Sequence, residues 1–289
     1  MFQSEMNFMR LPGEHCSPES YFYIMQIPYD ATTSFVAGTR TGPGAIINAS
    51  TNLELYDMET ETEAWKKGIH TMPPIEVHSG SAENMHKRIR KVMDGVVKPD
   101  RFVISLGGEH SISSACIAAH REKFGEITVV QFDAHADLRE HYEDSEYSHA
   151  SVMRRVNEDV GSHIVQIGIR SMDSTERDFL CGNDDITCIS ACSVHNDMEM
   201  SLNLLKRMIK ERKVYISFDI DAFDSGLVWK TGTPEPGGLD WKQVNTFLSE
   251  IFRCSEVVGA DVVELIGGEP ANDSLAAKLV YRMMGYKVG

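Results

Sequence analysis

Three short clusters of acidic residues and histidine each begin where an apolar run of the sequence ends. The clusters are GGEH at residues 107–110, DAHAD at residues 133–137 and DID at residues 219–221. The runs before them are rich in β-branched and aromatic residues, which is typical of buried strands. In an open parallel sheet, ligands gather at the carboxyl ends of the strands. The pattern therefore predicts oxygen and imidazole donors collected along one edge of a parallel sheet.

Strand-like runs alternate with amphipathic stretches along the 289 residues of the chain. Such alternation predicts an α/β fold with a mainly parallel sheet that is covered by helices on both faces. The sequence contains no internal repeat or linker, so we expect one domain over residues 1–289. The predicted strands are 22–27, 74–77, 102–106, 127–133, 164–169, 186–190, 214–220 and 258–265. The predicted helices are 81–95, 112–124, 174–180, 198–211 and 240–254.

The overall composition excludes several classes of protein. A formal net charge of −15 argues against nucleic-acid binding, because phosphates require compensating Lys and Arg. No apolar stretch approaches the ~20 residues of a membrane helix. The first 16 residues contain no continuous apolar segment of a secretory signal. The six cysteines follow no framework spacing, which is typical of reduced thiols. We therefore expect a cytoplasmic protein that binds neither membranes nor nucleic acid.

Cys188, Cys192 and His195 lie close together in the sequence. A structural zinc ion is one interpretation, but their spacing does not match the usual pattern of such sites. The interpretation we favour is the end of a buried strand with small, polarizable side chains.

The residue types in the three clusters indicate which metal they would bind. Four aspartates and two histidines, without cysteine, favour Mn²⁺ or Mg²⁺ over Zn²⁺, and we favour manganese. Taken singly, each motif is often only a turn or a helix cap. Taken together, four carboxylates at one edge of a sheet would repel one another unless cations held them. The sequence therefore predicts a site for two divalent ions.

The charge of such a site narrows the class of substrate. Two divalent ions, four aspartates and one hydroxide leave a single net negative charge, which attracts a cation and repels a phosphate dianion. Glu140, Glu143, Asp144 and Glu146 add negative charge after the second cluster, and Arg139 is the main exception. A two-metal phosphoesterase should supply an Arg or Lys clamp for phosphate, so it is the less favoured alternative.

Three motifs, in this order, resemble those of the ureohydrolase (arginase/agmatinase) family. They are GGEHS, FDAHAD and SFDIDAFD, which begin at residues 107, 132 and 217. The resemblance extends from residue 34 to Glu264 and thus covers most of the chain. It implies a three-layer α-β-α fold with an eight-stranded sheet, two Mn²⁺ ions per subunit, release of urea, and homotrimers or hexamers. A non-catalytic relative that keeps metal for stability is a remote alternative.

The resemblance also assigns the metal ligands. One manganese ion would be held by His110, Asp133, Asp137 and Asp219. The other would be held by Asp133, His135, Asp219 and Asp221. A pair of metal ions can generate hydroxide near neutral pH for attack on the guanidinium carbon.

Three further roles are implied by the same resemblance. Asp137 would pass a proton from the hydroxide to the departing amine. His149 would act as a proton shuttle and substrate contact at the mouth of the pocket, with His141 as the competing candidate. Glu264 would pair with the guanidinium group, because planar guanidinium matches a carboxylate.

The loop after the second cluster bears on which guanidino compound is cleaved. Arginases use an Asn- and Ser-rich loop at this place to hold the α-carboxylate of arginine. Residues 138–146 here are acidic and contain no Asn, so they disfavour a carboxylate by like-charge repulsion. Agmatine, which gives putrescine and urea, is the expected substrate. Aminopropylagmatine is the close alternative, and guanidinobutyrate and arginine are less favoured.

Two loops are rich in glycine and proline. Residues 38–44 end in a proline and a glycine, and we expect Pro43 to open a helix. Residues 231–238 follow the third cluster closely, and we expect this loop to be functional. The sequence does not place this loop or Arg139 relative to the substrate.

Overall fold

A computed structural model describes residues 7–289 and contains a single sheet in which every strand pairing is parallel. The strands, in chain order, are Phe22–Ile27 (β1), Ile69–Thr71 (β2), Phe102–Gly107 (β3), Thr128–Phe132 (β4), His163–Ile169 (β5), Ile186–Ser190 (β6), Lys213–Asp219 (β7) and Glu256–Val263 (β8). Their order across the sheet is β2-β1-β3-β8-β7-β4-β5-β6. The first six residues, which belong to the segment expected to lack a secretory signal, lie outside the described residues.

Helices cover both faces of this sheet. The α-helices are Gly42–Ser50 (α1), Ala82–Val96 (α2), Ser113–Phe124 (α3), Val152–Arg155 (α4), Ser174–Cys181 (α5), Ala191–Asn196 (α6), Met198–Ile209 (α7), Trp241–Cys254 (α8) and Pro270–Val288 (α9). Two separate hydrophobic cores lie between the sheet and its helices. One contains residues of α1, α7, α8 and α9, and the other contains residues of α2 and α3. The prediction of a three-layer α-β-α fold with an eight-stranded sheet is confirmed.

Successive residues of a strand enter different cores. In β7, Val214, Ile216 and Phe218 belong to the first core, whereas Tyr215 belongs to the second. Side chains alternate between the two faces of a strand. Because both faces are covered, the strands read as nearly continuous apolar runs, which is why the sequence predicted them well.

One predicted strand is wrong. Residues 74–77 are not a strand, and the edge of the sheet is formed instead by β2, at Ile69–Thr71. Pro73 and Pro74 follow β2 and have no backbone N–H to donate to a neighbouring strand. Ile75 still bonds to the sheet through its N–H and the carbonyl oxygen of Gln26, at 2.9 Å. The other seven predicted strands match observed ones to within two residues at each end.

The long helix α9 was not among the predicted helices. Ten of its residues are buried, including Asn272, Tyr281 and Arg282, so it has no continuous polar stripe. A helix whose buried residues include polar ones gives little amphipathic signal. By contrast, the helix expected at Pro43 is present as α1, with this proline in its first turn. Within the described part of the chain, no helix is long and apolar enough to cross a membrane.

Candidate metal centre and active site

The four central strands of the sheet end at a common site. Strands β3, β8, β7 and β4 are neighbours. His110 follows β3, Glu264 follows β8, Asp219 ends β7 and Asp133 follows β4. All four side chains are at most 5% exposed. His110 and Glu264, which are 154 positions apart, share a hydrogen bond, so the predicted gathering at one edge is observed.

Three aspartates surround one ring nitrogen of His110. Its Nδ1 atom lies 3.0 Å from Oδ2 of Asp133, 3.0 Å from Oδ2 of Asp137 and 3.5 Å from Oδ2 of Asp219. This nitrogen is buried and makes no hydrogen bond with any residue that the structure describes. Neighbouring ligands about 2.1 Å from an octahedral ion lie about 3 Å apart. The spacing and the unpaired nitrogen therefore fit a divalent ion.

A second group forms around His135. Its Nδ1 atom lies 3.0 Å from Oδ2 of Asp221 and 3.6 Å from Oδ1 of Asp133. Asp133 thus faces His110 with one carboxylate oxygen and His135 with the other, and it belongs to both groups. The residues present fit a pair of divalent ions with Asp133 between them. Carboxylates outnumber imidazoles, which suits hard cations that prefer oxygen ligands.

Short hydrogen bonds within the turns hold these carboxylates in place. Oδ1 of Asp133 accepts from the N–H of His135 at 2.6 Å, and Oδ1 of Asp219 accepts from the N–H of Asp221 at 2.9 Å. Oδ1 of Asp221 accepts from the N–H of Ala134 at 3.0 Å, which joins two of the clusters. The Oδ2 atoms of Asp219 and Asp221 each face a histidine, and both oxygens of Asp133 do.

Two site residues have a left-handed backbone. The φ angle is 55° at Asp137 and 65° at Glu264, a backbone region that residues other than glycine seldom adopt. The carbonyl oxygen of Asp137 accepts hydrogen bonds from the N–H groups of Met153 and Arg154, which hold the turn. Such conformations persist where the surroundings impose them, and they are concentrated at functional sites.

Burial and like charge raise the pKa values of three carboxyl groups at the site. Burial, followed by the charge of Asp133, raises the pKa of Asp137 to about 7. Burial, followed by the charge of Asp221, raises the pKa of Asp219 well above its usual value. Burial, followed by the charge of Glu109, does the same to the pKa of Glu264. Bound cations would offset this repulsion and keep the carboxylates ionised.

A cavity of about 230 Å³ opens beside the two groups. His149 lines it and is partly buried, whereas His141 is exposed. Burial lowers the pKa of His149 to about 4, so its ring is neutral near pH 7. The residues that line the cavity are Ser34, His110, His135, Asp137, Arg139, Tyr142, His149, Ala150, Ser171, Met172, Asp173, Glu176, Asp219 and Thr233. Glu264 is outside this set, and its Oε1 atom accepts from the N–H of His110 at 2.6 Å.

Arg139, whose direction the sequence left open, points to two carboxylates. Its Nη1 atom lies 2.8 Å from Oδ2 of Asp173, and its Nε atom lies 3.8 Å from Oε2 of Glu176. Its guanidinium also lies over the ring of Tyr142, at 5.2 Å from the centroid. The positive charge of Arg139 is therefore compensated within the cavity wall.

The loop at residues 231–238 lies against the site. Oγ1 of Thr233 is 3.4 Å from Oδ2 of Asp221. A Cβ atom at Gly232 would lie 3.2 Å from Oε2 of Glu264, so glycine leaves room beside that oxygen. Arg170 fastens the loop by donating to the carbonyl oxygens of residues 235 and 236.

A row of buried polar residues lies under the site and was missed in the sequence. We call it the polar row, and its members occupy matching register positions on five neighbouring strands. Gln131 donates from Nε2 to Oδ2 of Asp133 at 2.8 Å, so the row contacts a candidate ligand. The sequence signal that could have revealed this row is the single polar residue inside each of the apolar runs that form these strands. The row consists of Ser105, Asp261, Ser217, Gln131 and Gln166, all of them 0% exposed.

Cys188, Cys192 and His195 do not form a comparable group. Cys188 is partly buried in β6, Cys192 is exposed, and His195 contacts the carbonyl oxygen of Gly237. Across residues 7–289, the groups with ligand atoms close enough for a metal are the two that share Asp133.

Comparison with known proteins supports the same conclusion as the geometry. The arginase family model matches residues 20–285. The chain is 38% identical over 280 residues to N(1)-aminopropylagmatine ureohydrolase of Thermus thermophilus, covering 95% of this chain and 94% of that protein. It is 31% identical over 280 residues to agmatinase of Pyrococcus horikoshii, covering 96% and 95%. The crystal structure of agmatine ureohydrolase of Thermoplasma volcanium has a TM-score of 0.83 and 28% identity, covering 99% and 95%. The chain therefore belongs to the arginase family of ureohydrolases.

Proposed function

We propose that this protein cleaves the guanidinium group of a linear polyamine, releasing urea and an amine, with two Mn²⁺ ions bound. The observation that carries the proposal is the pair of histidine–carboxylate groups that share Asp133 beside a cavity. The relative at 38% identity is named for N(1)-aminopropylagmatine, and the relative at 31% identity is named an agmatinase. N(1)-aminopropylagmatine is therefore our first candidate substrate, and agmatine, which the sequence analysis favoured, is the second.

The charge of the cavity supports a substrate with a cationic tail. Asp137, Asp173, Glu176 and Asp219 line it, together with Arg139. Since Arg139 is paired with Asp173, the described lining offers no free guanidinium or ammonium group to receive a carboxylate. Like-charge contacts disfavour the wrong partner by several kcal/mol. Guanidinobutyrate and arginine, which carry carboxylates, would therefore bind poorly.

The side chains around the two groups divide the chemical work. When bound, the ions would lower the pKa of a water molecule so that hydroxide is available near neutral pH. Oε2 of Glu264 would accept from the guanidinium N–H groups in the space that Gly232 leaves. Asp137 would hold a proton at its carboxylate and pass it to the departing amine. His149, which lines the cavity, would relay a proton between the site and solvent.

The metal, the assembly and the location form part of this proposal. We propose manganese because a ligand set with more carboxylates than imidazoles suits Mn²⁺ or Mg²⁺ better than Zn²⁺, and metal analysis of protein purified without added metal tests it. Assembly into homo-oligomers and a cytoplasmic location stay predictions.

Urea release from four guanidino compounds tests the proposed function. With Mn²⁺ present, we expect kcat/KM for N(1)-aminopropylagmatine and agmatine to exceed the values for guanidinobutyrate and arginine by at least about 100-fold. N(1)-aminopropylagmatine should be the better of the two cationic substrates. Absence of urea from all four compounds would sink the enzyme proposal, and a preference for arginine would overturn the charge argument.

An Asp173→Asn variant sharpens the substrate test. The Oδ1 atom of Asp173 caps α5, and asparagine can keep that cap. The variant removes one of the two carboxylates that face Arg139 and leaves Glu176 at 3.8 Å, so the guanidinium is more available to receive a carboxylate. We expect the preference for agmatine over guanidinobutyrate to narrow by about 3- to 10-fold. An unchanged ratio of kcat/KM for agmatine to that for guanidinobutyrate would mean that Arg139 does not contact the end of the substrate that distinguishes the two compounds.

Glu264→Gln should weaken substrate binding without removing metal. The amide oxygen can still accept from the N–H of His110, while its NH₂ group would face the guanidinium donors. Loss of a charged hydrogen bond predicts a rise in KM of about 10- to 100-fold. Steady-state kinetics and metal analysis on the same preparation measure this. Loss of manganese would show that Glu264 supports the metal rather than the substrate.

A further inference from the structure

Below His110, two neighbouring strands supply a continuous chain of buried hydrogen bonds. Ser217 on β7 and Asp261 on β8 are partners in the sheet register. The hydroxyl groups of Ser217 and Tyr215 donate to Oδ1 and Oδ2 of Asp261, both at 2.9 Å. Oγ of Ser217 also lies 2.9 Å from Nε2 of His110. Every residue of this chain is 0–1% exposed, so its partners are held inside the protein.

The number of protons in this chain fixes the direction of its bonds. When Asp261 is ionised, its two oxygens only accept, so the hydroxyl groups of Ser217 and Tyr215 both donate to it. A serine hydroxyl has one proton, and that of Ser217 is used on Asp261. Towards His110, Ser217 can therefore only accept, which requires a proton on Nε2. The other nitrogen, Nδ1, then has a free lone pair and faces Asp133 and Asp137.

We propose that Ser217 and Asp261 are positioning residues that hold His110 in the tautomer whose Nδ1 atom binds a metal ion. This proposal rests on the proposed function only in taking the group of His110, Asp133 and Asp219 as a metal site. A neutral imidazole has two tautomers, and the other one would place a proton where the ion must bind. Partners of this kind commonly change metal affinity 10- to 100-fold when they are removed.

The chain offers a closely matched pair of variants for the test. Ser105 on β3 is the register partner of Asp261 on its other side and is equally buried, but its hydroxyl does not hydrogen-bond His110. Ser217→Ala and Ser105→Ala therefore remove the same buried atom from the same row. We expect Mn²⁺ titration of metal-free protein, without substrate, to show one ion bound 10- to 100-fold more weakly in Ser217→Ala and wild-type affinity in Ser105→Ala. Ser217→Thr, which keeps the hydroxyl, should bind Mn²⁺ with the affinity of the wild type.

A spectroscopic measurement on the unmutated protein reads the tautomer directly. In ¹⁵N-histidine-labelled protein loaded with diamagnetic Zn²⁺, we expect the His110 signals to show a proton on Nε2 and metal on Nδ1. A proton on Nδ1, or equal Mn²⁺ affinity in the two alanine variants, overturns the proposal. If Ser217→Ala does not fold, the labelled protein still decides the question. Neither measurement uses a substrate. Failure of the urea assay would therefore leave this inference standing, and failure of this inference would leave the proposed enzyme activity standing.

Discussion

Asp133→Asn is expected to remove manganese binding and urea release together. The two carboxylate oxygens of Asp133 face His110 and His135, so one substitution takes a negative ligand from both groups. The NH₂ group of asparagine would also point a donor at one of the two ligand positions. Substitutions outside the ligand set commonly cost 10- to 100-fold in metal affinity. Loss of a shared ligand should therefore cost more than about 100-fold, measured as Mn²⁺ per chain at fixed free Mn²⁺.

The matched control for this substitution is Asp173→Asn. Asp173 lines the same cavity, but its carboxylate belongs to neither of the two groups. A ligand that binds the folded state raises Tm, so added Mn²⁺ should raise the Tm of the wild type and of Asp173→Asn but not that of Asp133→Asn. If Asp133→Asn still binds two ions per chain, Asp133 is not a shared ligand.

The candidate metal ligands could be found in the sequence because each of the three clusters begins at the end of a buried strand. The position of Asp133 after β4 and of Asp219 at the end of β7 depends only on local pattern and on the rule that ligands lie at the carboxyl ends of parallel strands. The covered sheet helped, since strands buried on both faces are conspicuous apolar runs. The exception was the edge strand β2, which is short and is followed by Pro73 and Pro74.

The partners of the site residues could not be predicted in the same way. Ser217 contacts Asp261 because β8 inserts between β3 and β7, and no local pattern specifies that order. Arg139 appeared in the sequence as an isolated cation in an acidic loop. The fold pairs it with Asp173, at the start of α5. Arg139 is therefore not a free cation that could receive the carboxylate of a substrate. The sequence shows which side chains can act as ligands or carry charge. Which of them pair with residues far away in the chain depends on the order of the strands and is seen only in the structure.

Asp137→Asn should separate metal binding from turnover. Asparagine tolerates the left-handed backbone at φ 55° and keeps an oxygen near Nδ1 of His110, so part of the metal should remain. It has no carboxylate to carry the proton to the departing amine, and loss of such a group costs about 10²- to 10⁴-fold in rate. We expect a fall of that size in kcat at saturating substrate and Mn²⁺, with urea release and metal content measured on the same sample.

The control for Asp137 lies in the next loop. Asp144 also has a left-handed backbone, with φ 61°, but it is exposed and does not line the cavity. Asp144→Asn therefore makes the same chemical change under the same backbone constraint, and kcat and metal content should both stay at wild-type values. If Asp137→Asn behaves like this control, another group protonates the amine, and His149 at the cavity wall becomes the residue to test. If Asp137→Asn instead loses both ions, its carboxylate serves mainly as a ligand, and the proton must travel by a different path.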